Sequence, residues 1–299
     1  MIFSILTEGL LYGGLSLSVY LSFRLLNFPD LTIDGSFPLG AVIAASMFAS
    51  GYSAIAIYPF VFFAGVLAGM ITAAIHNKFS VPPLLAGIIT MTMLYSVNIR
   101  ILGNRSNFPL LRIDTAISRF TNFVESSLPE LFQVLSKNGI RLSYVLFVII
   151  LMIAVVIYLL YTRLGLVLRA MGDNEKVVIS YGYSVRRLKL VGIGLANGIA
   201  GLIGALVAQN QGFADVGMGR GVIIGALVSV LIGEFIFKTD KIYFQVLRVF
   251  IGTILFQSIL FLGRYYGYTV QLIPTDLQLL VGLTIIFLLA IQQLRKRNA

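Results

Sequence analysis

Long apolar runs decide what this chain of 299 residues can fold into. About nine are readable, approximately Ser4–Phe23, Leu31–Ser50, Ala54–Ile75, Pro83–Leu102, Leu142–Tyr161, Leu188–Gln209, Gly219–Phe237, Phe244–Gly263 and Leu277–Leu294. Several reach the roughly 20 residues that a helix needs to cross a hydrocarbon core. They are continuous rather than alternating, which favours helices over a closed barrel, the only other structure that satisfies its backbone in lipid. Charged residues make up 11% of the chain, against roughly 25% in a soluble domain, so this surface could not face water. The expected fold is an all-α integral membrane protein, a polytopic helix bundle forming one transmembrane domain over 1–299.

Charge sets the expected orientation. The net charge of +10 does not point to nucleic acid, because the basic residues sit at run ends and in connections and form no continuous stripe. Arg163, Arg169, Lys176, Arg186, Arg187 and Lys189 crowd one connection, which the positive-inside rule places in the cytoplasm. Counting spans from there puts Arg24, His76, Lys78, Lys238, Lys241 and Arg295-Lys296-Arg297 inside as well. The N-terminus is then outside and the C-terminus cytoplasmic. Met1–Phe23 has no basic residue before its apolar core and carries Glu8, so it reads as a retained span rather than a cleaved signal.

Several chemistries are excluded. There is no Cys and a single His, His76, hence no disulfide and no His- or thiolate-ligated metal site. There is no HExxH and no Gly-Lys dipeptide, so no Walker A loop. Any ATP and Mg that drive the protein must be bound by a partner chain, with no cofactor held in this one.

Two polar stretches interrupt the apolar pattern. The connection 103–141 carries five Arg or Lys against three acids, and its FTNFVESSLPELFQVLSKNG stretch mixes apolar and polar residues at near-helical spacing. Short amphipathic helices on the outer surface are expected there, either capping the bundle or receiving an external partner. The other stretch is Leu164–Gly182, LGLVLRAMGDNEKVVISYG. Arg169 and Glu175 would be costly in hydrocarbon. Gly172 can supply a positive-φ turn, and Asp173 or Asn174 can cap the following EKVVISY helix. Two short helical pieces with a kink are expected, either as a plain connector or as a rigid knob that docks in a partner.

The region TRLGLVLRAMGDNEKVVISYGYSVRRLKLVGIGLANGIAGLIGAL resembles the signature segment of ABC importer permeases of the branched-chain amino acid and ribose type. The resemblance rests on Gly165, Arg169, Ala170, Asp173-Asn174, Gly182, Arg186-Arg187 and the Gly/Ala-rich run Gly194–Gly204. Asn27, Phe28, Gly35, Gly40 and Ala41 after the first run are also similar to that family. Met91–Leu111 resembles a subgroup of which some members are linked to aromatic amino acids. The resemblance implies a type II-like permease with two related halves. It also implies a second permease, a copy forming a homodimer or a close relative, two cytoplasmic ABC ATPases and an external solute-binding protein. Gly165, Arg169, Ala170, Gly172, Asp173, Asn174, Glu175 and Gly182 would then form the ATPase-coupling segment within 163–187. The Pro that many relatives carry in this link is absent, which leaves the start of the coupling helix open.

Asn27–Ala45 and Gln209–Leu227 share a layout: a polar, Gly- or Pro-broken lead-in with Asp, then a Gly-Ala step into an apolar run. Duplicated halves of this kind flank the substrate path in many transporters. Asp30 and Asp34, four apart, could share a helix face as interfacial caps or beside a discontinuous helix. Gly194, Gly198, Gly201 and Gly204 predict close helix packing. Asn98 and Asn197 are helix glue or solute ligands. Gln209, Asn210, Gln211 and Asp215 are a solvated loop or an outer gate. Glu234 and Lys238 read as an interfacial ion pair. The candidate translocation path is Asn27, Asp34, Gly35, Asn98, Asn197, Gln209, Asn210 and Asp215.

The expected function is solute import by alternating access, driven by a separate ATPase. The solute would be an amino acid, aromatic or branched-chain, with a sugar or nucleoside as the alternative within the class. An ion-coupled secondary transporter, using Asp30, Asp34 and Glu234, is the rival from another class.

Overall fold

The computed structural model describes residues 2–127, 129–237 and 239–267, together with 279, 281–284 and 286. The expected ninth run, Leu277–Leu294, lies largely outside the described residues, as do Lys238 and Arg295-Lys296-Arg297. Among the described residues the structure is mainly helical. In order it runs α1 (Ile2–Val19), α2 (Ile33–Ala49), α3 (Ala54–Phe79), α4 (Pro83–Ile101), β1 (Asn107–Pro109), α5 (Ala116–Ser127), α6 (Pro129–Tyr161), α7 (Arg163–Asp173), α8 (Glu175–Ser180), α9 (Val185–Gln211), β2 (Phe213–Asp215), α10 (Val222–Ile236) and α11 (Ile242–Gly267). Among the described residues, six helical stretches are long and apolar enough to cross a bilayer: Ile2–Leu25, Ala54–Phe79, Pro83–Ile101, Ser136–Tyr161, Val185–Gln211 and Ile242–Tyr266. Two apolar helices, α2 and α10, are shorter, with 17 and 15 residues.

The element boundaries have local causes. α1 ends in a π-helical turn, Tyr20–Leu25, after which Asn27 takes a left-handed φ of 50° and Pro29 cannot continue a helix. Ser80 is left-handed at the end of α3, and Pro83 sits at the first position of α4, where its missing N–H costs nothing. Gly212, at φ 80°, caps the end of α9. α6 is interrupted at Ser136, with φ 57° and ψ 166°, and its membrane stretch begins there.

The most buried of the long helices is α9, packed against α1, α2 and α3. Its glycines are the reason. A Cβ on Gly204 would strike the Phe37 carbonyl, and one on Gly198 would strike the Phe62 ring and Val66. Gly40 of α2 meets the Gly201 carbonyl, and Gly65 of α3 meets that of Asn197. The glycine series therefore packs helices at backbone distance. The main core joins Leu11, Leu15, Phe37, Ile203, Val246 and Phe250 from α1, α2, α9 and α11.

α6 and α7–α8 lie at the edge of this frame. α5, amphipathic as its sequence indicated, packs on α6 with Ile117, Thr121 and Val124 buried, leaving Phe123 and Glu125 exposed. β1 pairs antiparallel with β2, Phe108 opposite Ala214, so the long connection after α4 is tied to the lead-in of α10.

Candidate functional site

Two regions carry polar and exposed groups that packing alone does not explain. The first is the basic end of the bundle. Thr162 caps α7 by accepting from the Gly165 N–H at 3.4 Å. Asn174 then breaks the chain, with φ −158° and ψ 104°, and its Oδ1 accepts from the Lys176 N–H at 3.0 Å to cap α8. The kink therefore falls at Asn174 and not at Gly172. Gly172 is helical, contrary to the expected positive-φ turn. Its glycine is required because a Cβ would collide with the Leu25 carbonyl. Gly165 likewise breaks nothing: it lies buried inside α7 against the backbone of Leu159 and Leu160. Of the three glycines in this stretch only Gly182, at φ 80°, turns the chain.

Leu168, Met171 and Val178 pack this segment onto Leu26, Phe28, Ala73 and Ile193. Ala170 is half-buried beside them. Arg169 folds back to donate to the carbonyls of Leu160 and Gly165, both at 3.4 Å. Glu175 pairs with Lys189 at 2.8 Å, and Lys189 Nζ lies 3.2 Å from His76 Nε2, which ties α8 to the ends of α9 and α3. What remains outward is Asp173, Asn174, Lys176 and Ser180 interleaved with the apolar Val177, Ile179, Tyr181 and Tyr183. The segment is thus a firmly seated projection whose outer face carries large apolar side chains among polar ones.

The second region is the meeting of the two short helices. The Asp34 carboxylate, in the first turn of α2, accepts from the Gly221 and Ile223 N–H groups, each at 3.1 Å. It caps the start of α10 across 187 residues of sequence. Gly219 passes over the Asp34 carbonyl with no room for a side chain. Asp34, Gly35 and Asn98 line a cavity of about 450 Å³ with Pro38, Met91, Thr92, Tyr95, Val216, Arg220 and Gly221. Asn98 donates to the Gly35 carbonyl at 3.3 Å, while its Oδ1, buried, has no partner. A cavity of about 750 Å³ on the far side of Arg220 and Gly221 is lined by Glu8, Tyr12, Ser16, Gln211, Gln257 and Arg264 among others. Glu8 pairs there with Arg264 at 3.5 Å.

The other candidate path residues lie away from the smaller cavity. Asp30 and Asp34 do not share a face, because α2 begins only at Ile33 and Asp30 belongs to the non-helical lead-in. Fully buried Asp30 accepts from the Thr32 N–H at 2.9 Å and the Asn197 Nδ2 at 2.6 Å. Asn197 Oδ1 accepts from the Ser36 hydroxyl at 2.7 Å, and Thr32 meets Thr72 at 2.6 Å. Gln209 bonds the Tyr58 hydroxyl and the Ala116 N–H. Asp215 in β2 accepts from Gly217 N–H and Asn107. Asn27 is exposed on its turn and Asn210 half-buried near the end of α9. Glu234 pairs with Arg24 at 2.7 Å and Arg248 at 3.1 Å; the expected partner Lys238 lies outside the described residues.

Arg220 and Tyr95 were not singled out from the sequence. An Arg between two glycines just before an apolar run was the available signal. Its weight appears only when α4 and α10 are seen to flank one cavity.

Comparison with known proteins agrees with the resemblance. A family model described as the permease component of the branched-chain amino acid transport system matches residues 1–290. A tyrosine transport system permease protein of Clostridioides difficile (strain R20291) is 32% identical over 302 residues, spanning 100% of this chain and 95% of its own. An uncharacterized protein of Rickettsia prowazekii (strain Madrid E) is 31% identical over 284 residues, spanning 94% and 93%. No solved structure matches the chain.

Proposed function

The chain belongs to the family of branched-chain amino acid transport permeases and is the multi-pass membrane component of a binding-protein-dependent transport system, and on that premise we propose that it imports an amino acid by ATP-driven alternating access. An aromatic amino acid is favoured, since a relative matching the whole chain is named for tyrosine transport. The basic end is cytoplasmic, the N-terminus lies outside and the C-terminus inside. Two copies of the chain form the pathway. An external binding protein delivers solute at the β1–β2 end. Two ABC ATPases, which hold the ATP and Mg, grip α8 of each copy.

The observation that carries this reading is the construction of α7–α8. The large apolar side chains of Val177, Ile179 and Tyr181 on its outer face would be an aggregation hazard unless covered by a partner. Its inner face is fixed to Leu26 and Phe28, which lead directly into α2. A pull on α8 is therefore transmitted to the lead-in of the first short helix rather than absorbed by a loop. ATP binding by the partners would shift the balance between two packings through differential contact with them. The two lead-ins and their short helices, 26–49 and 212–236, are the corresponding parts of two related halves.

Affinity purification of the tagged chain from its own membranes tests this. A stoichiometric ABC ATPase should co-purify, and Ile179→Asp should release it while leaving the permease in the membrane. A chain that purifies alone and transports in liposomes without ATP would overturn the reading.

A further inference from the structure

Solute must touch this permease somewhere along its path, and the cavity between α2, α4 and the lead-in of α10 has groups that point to where. α10 has 15 residues, about 22 Å of helix at 1.5 Å per residue, against roughly 30 Å of hydrocarbon. Its far end is held at water by Glu234 with Arg24, which is exposed, and Arg248. The start of α10, and with it Arg220, therefore lies within the hydrocarbon thickness. An arginine at that depth faces a protein partner or a water-filled path, not lipid. Yet Arg220 is exposed and has no carboxylate partner among the described residues; its guanidinium carbon lies 5.8 Å from the centre of the Tyr95 ring. The second observation is independent: Asn98, which lines the same cavity, is 1% exposed, and its buried Oδ1 accepts nothing. Buried polar atoms of this kind are normally satisfied, by protein or by something bound.

We propose that this cavity is the solute-contact site of the permease and binds the zwitterionic backbone of an amino acid. Arg220 receives the carboxylate, Asn98 and Asp34 face the ammonium, and Met91 and Tyr95 border the side chain. A guanidinium presents a planar fork that matches a carboxylate. Asp34 and Asn98 supply acceptors on the α2 and α4 walls of the same cavity. The volume, about 450 Å³, lies in the range of small-molecule sites. Recognition of both charges would admit amino acids as a class and leave discrimination among side chains to the external binding protein. This proposal rests on the importer reading above.

The test uses the complete transporter in proteoliposomes, with its ATPase and binding protein, and follows ATP-driven uptake of L-tyrosine and L-leucine. Arg220→Gln should lower uptake about tenfold or more, the scale of losing one charge-assisted hydrogen bond, with Arg220→Lys intermediate. ATP hydrolysis stimulated by the loaded binding protein should persist in both variants, because the α8 surface is untouched. Asn98→Leu provides a second variant and should lower uptake several-fold at unchanged membrane yield. Wild-type uptake with undiminished transport in Arg220→Gln and Asn98→Leu would overturn the site while leaving the importer reading intact. Loss of stimulated hydrolysis together with uptake would also overturn it, since the arginine would then serve assembly or coupling. A wild-type transporter that hydrolyses ATP but moves neither amino acid would defeat the amino acid reading and the site together.

Discussion

Asp30 with Asn197 on one flank of α2, and Asn98 with Arg220 on the other, are polar groups of similar type within the same apolar bundle. Their surroundings differ. Asp30 is enclosed, and each of its carboxylate oxygens has a donor; Asn197 uses both its oxygen and its amide nitrogen. Asn98 has one bond at 3.3 Å and an unpartnered oxygen, and Arg220 opens on two cavities. A closed, fully bonded cluster fixes one packing of helices. An open cluster with spare capacity leaves room for a guest. The first locks the lead-in of α2 to α9, and the second is left to bind.

The frame shared by both clusters should be the most sensitive to change. Gly204→Leu would drive a side chain into the Phe37 carbonyl between α2 and α9, where neither backbone can retreat. Overpacking of this kind costs about 1–3 kcal/mol or more, and the expected outcome is loss of monodisperse protein on size exclusion in detergent. Normal yield would show that α2 and α9 can separate without cost.

Next in size is Asp30→Ala. It leaves one N–H of the Asn197 amide and the Thr32 N–H unpaired, at about 1–3 kcal/mol for each unpaired buried group, and should lower the thermal midpoint markedly. Asn98→Ala in parallel removes one long bond and should cost about 1 kcal/mol. Equal destabilisation by the two variants would erase the distinction between closed and open clusters.

The basic end should respond more gently. Asn174→Ala removes the cap of α8, at about 1 kcal/mol. Hydrogen exchange should show faster exchange confined to α8, and a change spread over α9 would mean that the projection is not a separate unit. Smallest is Glu175→Gln. Its partner contact with Lys189 is half-exposed on the acid side, and such pairs contribute about 0–1 kcal/mol. An unchanged melting curve is expected, and a clear drop would show that Glu175, Lys189 and His76 act as one network.

Much of the bundle was legible because lipid imposes it. Continuous apolar runs fixed helices, and Asn174, read with Asp173 as a possible cap, marked the start of the second short helix through side-chain chemistry that acts over a few residues. The glycine spacing of α9 announced close packing before any neighbour was known. The roles of Gly172 and Arg220 were not legible. Gly172 is a glycine for the sake of Leu25, far away in sequence, so local rules read it as a turn. Lys238, the expected i,i+4 partner of Glu234, lies outside the described residues, and the structure adds Arg24 and Arg248 from other helices.

The sequence by itself determined that this is a helical membrane protein with a polar projection at one end, because apolar length, charge asymmetry and capping are local properties. Only the tertiary structure decided which polar groups are satisfied. Asp30 meets Asn197 across 167 residues, and Asp34 meets Gly221 across 187. Hydrogen-bond satisfaction is a property of pairs, so neither member records in its own neighbourhood whether the other will arrive.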